Sequence, residues 1–398
     1  MAGKKFKQRK TDVIQDGVVY RMDNNSNSVY KGTYYVYTYT DDLPENVVVA
    51  DKIGDVPVSF LDTKCFQRSL CREILLPDSI KLIGSESFAN CRNLETIHIP
   101  SDINSVCYDA FCSCKKLNYT SYCYGRYLGN AENPFLILHT NERAVKSDDA
   151  EELVVEVHPE TKFILSSAFN AFSPDSEPYD KPDKLILHDK LEHIDGGAFS
   201  FGFYGFDYAK VETVCVDSME CLCRGCSEIA GQAKTLIVGG EVIGDTVTIP
   251  ANITKITSQC FYMFNSMKVL RFEGNISEIE SRAFSQCKNL KEIYFPQKVG
   301  RIGCEAFYRC PSLEKVEFFE VEKIETQAFE LEIYYPGAKI EPSKNGLREI
   351  VFHNRVGAIG HRAFGDNSML ENVIGIENVE SIEEDAFVGT SFKSKQAQ

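Results

Sequence analysis

Between Phe88 and Phe111 the apolar positions are Phe88, Cys91, Leu94, Ile97, Ile99, Ile103 and Val106, and polar residues fill most of the gaps. From Thr96 to Ile99 polar and apolar residues alternate, the period of a half-buried strand, and Pro100, which lacks an N–H, ends it. Ile103 and Val106 predict a second short extended segment, and the Ala110-Phe111 pair predicts a tight helical turn that closes the cycle. One unit is therefore strand, turn, short segment, turn. The same frame fits after Phe284 (Cys287, Leu290, Ile293, Phe295, Pro296, Val299, Ile302), after Phe307 (Cys310, Leu313, Val316, Phe318) and after Phe364 (Leu370, Val373, Val379, Ile382).

Eleven phenylalanines keep this register: Phe66, Phe88, Phe111, Phe169, Phe199, Phe261, Phe284, Phe307, Phe329, Phe364 and Phe387, mostly 22 or 23 residues apart. Five residues before each stands an aliphatic, from Leu61 and Ile83 to Ile359 and Ile382, and immediately before each a small residue, Ala in eight cases and Cys65, Ser87 or Cys260 otherwise. One unit holds too few apolar residues to bury them alone. Stacking units places Phe on Phe and Ile on Ile, at roughly 1.5–3 kcal/mol per large side chain. The period therefore predicts a solenoid.

An aliphatic, a small residue and Phe, then Cys or Asn, Leu and an I-x-I-P strand: this combination resembles the leucine-rich repeats of the BspA type, over roughly residues 60 to 390 with interruptions. The resemblance implies a leucine-rich repeat solenoid, curved and right-handed, with short parallel β-strands on its concave face and turns and short helical segments elsewhere. It also implies binding to other proteins or to host surfaces. Many members of the family are secreted or surface-attached, whereas no signal peptide, anchor or apolar spanning run is readable here. The expectation is a cytoplasmic protein that does not insert in membranes, with a secreted or cell-surface adhesin as the alternative.

Residues 1–10 hold the basic cluster Lys4, Lys5, Lys7, Arg9 and Lys10 and read as a solvated, disordered tail, and residues 391–398 read as a tail at the other end. Residues 11–60 lack the repeat. Alternation at Val18–Met22 and Tyr34–Tyr39, with Val47–Val49 as a third candidate strand, predicts a small N-terminal β cap on a solenoid covering residues 61–390. Insertions break the period near residues 122–163, 173–183, 201–209 and 331–346. The first, with turns at Gly129-Asn130 and Asn133-Pro134, corresponds to an embedded hairpin in the family it resembles. After Phe387 no further strand is readable, so the end is either a truncated capping turn or a surface for self-association with another copy.

The net charge of −15 opposes nucleic acid as a partner, because a binder must neutralise phosphates with clustered Lys and Arg. Of the 15 cysteines, Cys91, Cys114, Cys287 and Cys310 each lie three residues after a register phenylalanine, a slot that Ser69 and Asn367 fill elsewhere. Thiol, hydroxyl and amide all suit a half-buried turn that needs a small polar partner. Cys215, Cys221, Cys223 and Cys226 have spacing that permits tetrahedral zinc, and so a zinc-containing or Cys-dependent enzyme centred on residues 215–226. Against this, Leu222 falls 23 residues after Phe199, in the phenylalanine slot, which makes these cysteines turn residues of one more degenerate unit. No metal and no cofactor is expected, and no P-loop, GxSxG or HExxH motif is present.

The positions the register leaves free are the functional candidates. Ten residues after the register Phe they give His98, Arg271, Tyr294 and Glu317, and two residues earlier they include Glu292 and Lys315. Together they predict a mixed-charge binding face with an aromatic member, in competition with simple Glu–Lys pairing on a solvated sheet. A second candidate is the aromatic loop carrying Phe203, Tyr204, Phe206 and Tyr208, either an exposed contact or rings packed on the solenoid edge. The expected function is a non-enzymatic protein-binding scaffold whose partner is a protein of unknown identity.

Overall fold

The computed structural model describes residues 7–107, 109–141, 151–166, 168–169, 182–195, 198, 211–226, 229–331 and 345–393. It divides into two units, Met1–Pro182 with Ile194–Ala209 and Asp183–His193 with Lys210–Gln398. Each unit is a stack of β-coils.

In the first unit, the antiparallel strands Val13–Gln15, Val18–Met22 and Tyr34–Tyr39 lead into parallel pairing with Val56–Leu61, Leu82–Ile83 and Ser105–Val106. A second parallel ladder runs through Asn46–Val48, Glu73–Leu75 and Thr96–His98. The strands expected at Val18–Met22 and Tyr34–Tyr39 are present with those bounds. Asn46–Val48 and Val56–Leu61 already lie in the two coil ladders. Tyr39 supplies the lid on the aromatic core: its ring stacks on Phe66 at 6.4 Å and its hydroxyl donates to the Gln67 carbonyl at 3.1 Å.

The insertion that begins near Tyr122 is a hairpin. Thr120–Tyr122, Gly125–Leu128 and Ile137–Asn141 pair antiparallel, and Ile137–Asn141 then pairs parallel with Phe163–Ile164, which restores the coil. The insertions at 201–209 and most of 173–183 and 331–346 lie outside the described residues.

The second unit carries one six-stranded parallel ladder, Lys255–Ile256, Ile276–Ile279, Lys298–Ile302, Glu320–Ile324, Val356–Ile359 and Val379–Ile382. Its aliphatics align one above another: Ile256, Ile279, Ile302, Ile324, Ile359 and Ile382 are successive partners. The other strand of each coil forms two three-stranded ladders, Thr246–Ile249, Val269–Phe272 and Glu292–Tyr294, and then Lys315–Phe318, Glu349–Phe352 and Asn372–Ile374. Lys184–Leu187, Val211–Val216 and Ala233–Val238 pair in parallel ahead of them.

Register phenylalanines stack into a column within each unit. Phe66, Phe88 and Phe111 stack at 5.7 and 5.3 Å, and Phe261, Phe284, Phe307, Phe329, Phe364 and Phe387 at 4.9–5.3 Å with nearly parallel planes. A second column, Phe272, Phe295, Phe318 and Phe352, meets it edge-on at 5.8–6.5 Å. Stacked rings in each column and T-shaped contacts between columns are both favourable quadrupole arrangements.

The turn around a register phenylalanine is not the helical turn expected. Two residues before and two after Phe66, Phe88, Phe111, Phe261, Phe284, Phe307 and Phe364 the backbone is left-handed, as at Arg282 (φ 59°) and Gln286 (φ 60°), Glu305 (57°) and Arg309 (56°), and Arg362 (50°) and Asp366 (57°). Between the two left-handed residues the N–H groups alternate in direction, Ala283 and Ser285 donating back within the turn to Glu280 and Arg282. The N–H groups of Arg282, Phe284 and Gln286 thus donate to the carbonyls of Cys304, Ala306 and Tyr308 in the next coil, at 3.0, 2.8 and 2.7 Å. A helical turn would have satisfied its own carbonyls and left coils joined only by their strands.

Candidate functional site

The small polar slot after each register phenylalanine is a repeated hydrogen-bond device. Cys91, Cys114, Cys287 and Cys310 point their thiols at the carbonyls of Phe66, Phe88, Phe261 and Phe284, one coil back, at 3.0–3.3 Å. Asn367 does the same to Phe329 at 2.8 Å and accepts the Leu347 N–H at 2.9 Å. Burial pushes the Cys287 and Cys310 thiols up, so they are structural donors rather than nucleophiles.

The cysteine-rich segment departs from its expected form. Met219–Gly225 is an α-helix, N-capped by the Ser218 hydroxyl, which accepts from Cys221 N–H. Leu222 is fully buried, as its register requires, but on this helix and not in a repeat turn. The helix buries Cys221, Cys223 and Cys226, with 4.0 Å between the sulfurs of Cys221 and Cys226. Cys215 stands on Val211–Val216 between buried Val214 and Val216, and so faces the opposite side of that strand. Cys221 donates to the His188 carbonyl and Cys260 to that of Leu222. The Cys226 thiol is held far above its ordinary range by Cys221 and by burial, and the Cys260 thiol by burial and Cys223. Among the described residues no three His, Cys, Asp or Glu side chains converge as a metal-ligating group.

The sheet-face candidates fall in both units. His98 ends Thr96–His98 in the first unit, half-buried, in one column with exposed Val48 and Leu75. A recess of about 120 Å³ beside it, lined by Thr96, Asn118, Tyr127 and Asn130, is well below the roughly 300–1,000 Å³ of small-molecule pockets.

The other five lie on neighbouring strands of the second unit. Arg271 and Tyr294 are direct cross-strand partners, with the guanidinium 3.9 Å from the centre of the Tyr294 ring. The Tyr294 hydroxyl donates to Glu292 at 2.6 Å, and that carboxylate raises the phenol's pKa. Lys315 bridges Glu317 and Glu349 at 2.8 and 2.7 Å, and Glu317 also meets His353 at 2.9 Å. These contacts hold the Lys315 ammonium above its usual range and the Glu317 carboxyl below its own. Tyr294 remains 45% exposed. Glu–Lys pairing and an exposed aromatic thus coexist on one face. Phe203, Tyr204, Phe206 and Tyr208 lie outside the described residues.

The six-stranded ladder adds ion pairs that the free-position reading did not single out: Lys255–Glu278 at 3.0 Å, Lys298–Glu320 at 3.2 Å, Arg301–Glu325 at 3.1 Å and Arg355–Glu380 at 2.7 Å. Each joins one coil to the next. The partners lie 22 to 25 residues apart, about one coil, so opposite charges at that spacing in the sequence were the signal. Exposed pairs of this kind contribute about 0–1 kcal/mol each.

No helix among the described residues is long and apolar enough to cross a membrane. No curated protein matches the chain by sequence. Among solved structures it is similar to a leucine rich cell surface protein from Faecalibacterium prausnitzii (14% identity, 97% of this chain and 99% of that one, TM-score 0.34). It is also similar to a leucine-rich repeat protein from Bacteroides ovatus (17%, 95% and 92%, TM-score 0.28) and to the leucine rich repeat protein of T. pallidum (15%, 76% and 90%, TM-score 0.28). The BspA type leucine rich repeat region matches in 6 copies, over residues 58–124, 244–334 and 343–397, more than half of the chain. With the phenylalanine column and the paired strands of each coil already in place, the chain belongs to the BspA-type leucine-rich repeat family.

Proposed function

We propose that the protein is a non-enzymatic protein-binding scaffold, and that the face around Arg271, Glu292, Tyr294, Lys315 and Glu317 is its contact surface. The observation that carries this is the Arg271–Tyr294 pair: an exposed tyrosine fixed by a guanidinium on its ring and a carboxylate on its hydroxyl. Tyr and Arg are the residues in which interface energy concentrates. Both side chains hang from adjacent hydrogen-bonded strands, so docking costs little ordering entropy. The raised pKa values of the buried Cys226 and Cys260 thiols speak for structure over nucleophilic chemistry.

The test is partner capture from a lysate of the source cell, comparing the parent protein with Tyr294→Ala and Arg271→Glu. Partner recovery should fall at least tenfold in both variants, with melting temperatures unchanged. Equal recovery by parent and variants would remove this face from the binding surface.

A further inference from the structure

The last coil of the second unit leaves hydrogen-bonding groups that every earlier coil of the ladder uses. Val379–Ile382 pairs with Val356–Ile359 on one side and, among the described residues, with no strand on the other. Glu383 N–H reaches back to the Ile359 carbonyl at 3.0 Å. Successive residues of a parallel strand alternate sides, so Glu380 and Ile382 present their N–H and C=O groups outward.

The turn adds to the same edge. Phe364 and Asp366 donate forward to the Ala386 and Val388 carbonyls at 2.9 and 2.8 Å, whereas the equivalent N–H groups one coil later, on Phe387 and Gly389, meet no acceptor among the described residues. Phe392 closes the ring column by packing edge-on against Phe387 at 5.3 Å, and among the described residues no strand covers the ladder edge. Val379 and Ile382 are only partly buried, while Val356 and Ile359 beneath them are 0% and 1% exposed.

Charge selects the occupant. From Glu371 to Asp385 the chain carries six carboxylates and no Lys or Arg. Glu380 is taken by Arg355 and Asp385 by His361, while Glu371, Glu377, Glu383 and Glu384 make no ion pair among the described residues. A second copy meeting this edge with its own would set Glu380, Glu383 and Glu384 against themselves, at a cost in like-charge repulsion.

We propose that the Val379–Ile382 edge binds an extended peptide strand rich in lysine or arginine, which adds to the ladder through its backbone and meets the free glutamates with its side chains. Aliphatic residues alternating with the cations cover Val379 and Ile382 and extend the column of Ile324 and Ile359. This surface is separate from the Arg271–Tyr294 face, and its test does not depend on that reading.

Fluorescence anisotropy with the full chain and labelled ten-residue peptides decides the question. A peptide alternating Val and Lys should bind, and a Val/Glu peptide should bind at least tenfold more weakly. A third peptide keeps the Lys count but replaces alternate Val residues by Pro, so that it cannot pair as a strand, and it too should be at least tenfold weaker. On the protein, Glu383→Lys with Glu384→Lys should weaken the Val/Lys peptide at least tenfold. Glu380→Pro, which deletes an outward N–H at an edge where proline is tolerated, should weaken it beyond Glu380→Gln. Circular dichroism checks that each variant is folded. Equal affinity for the proline peptide overturns strand addition in favour of charge alone, and no binding of the Val/Lys peptide overturns the site. Dimerisation of the free protein that Glu383→Lys with Glu384→Lys alters also overturns the proposal, by showing that a second copy covers the edge.

Discussion

The thiol of Cys287 donates to the carbonyl of Phe261, one coil back, at 3.1 Å, and the same carbonyl accepts the Phe264 N–H at 3.1 Å. The sulfur thus fills a second lone pair inside the core. Cys287→Ser keeps a donor and should change stability by less than about 1 kcal/mol, whereas Cys287→Ala loses the donor and leaves a small void, at about 1–2 kcal/mol. Urea denaturation of the three proteins measures the difference.

Phe284 sits between Phe261 and Phe307, at 5.2 and 5.1 Å, with Phe272 edge-on. Phe284→Ala should cost about 3–5 kcal/mol, since rigid coils on both sides limit collapse of the cavity. Phe387→Ala, with a register ring on one side only, should cost visibly less. Thermal melts rank the two.

His139 takes the place after Phe111 in the first unit, with its ring 6.4 Å from Phe111 and 5.2 Å from Tyr119. Its Nδ1 is buried with no partner among the described residues, and burial lowers its pKa to about 4 from 6.5. The folded state therefore holds the neutral ring while the unfolded chain binds a proton below about pH 6.5. Stability should fall as the pH drops from about 6.5 to about 4, by roughly 3 kcal/mol at the lower limit. His139→Phe should remove that part of the slope; denaturation midpoints at pH 7 and pH 4.5 provide the check.

Arg309 is exposed and holds φ at 56°. Glycine takes that conformation without steric cost, so Arg309→Gly should be neutral or stabilising by up to about 1 kcal/mol. Arg309→Val should destabilise by about 1–3 kcal/mol, because a β-branched side chain resists the left-handed region. If both variants melt alike, the left-handed turn is not the conformation in solution.

Core columns were legible in the sequence because burial repeats: Phe66, Phe88 and Phe111, or Ile279, Ile302 and Ile324, announce themselves by spacing alone. The thiol slots were legible for the same reason. The left-handed turns were not, since Arg282, Gln286, Glu305 and Arg309 bear none of the glycine or asparagine signature usual at positive φ. The inter-coil hydrogen bonds that hold them there become visible only when coils are stacked. His139 escaped because the hairpin resets the count between Phe111 and Phe169. The Met219–Gly225 helix escaped because Leu222 satisfied the period while Ser218, the cap that starts the helix, went unread. Of the sheet face, the strand partners Arg271 and Tyr294 were predicted on the same column, but their stacking depended on rotamers that periodicity does not encode.

The turn gives successive coils, such as those of Phe261, Phe284 and Phe307, the same joint on each side, donors forward and acceptors behind. A coil removed or duplicated as a whole period leaves matching partners at the splice, whereas a change of one residue puts amide against amide. Length in such a protein is thus open to change in steps of one coil, and the reach of any surface it carries can grow without redesigning the residues that make it.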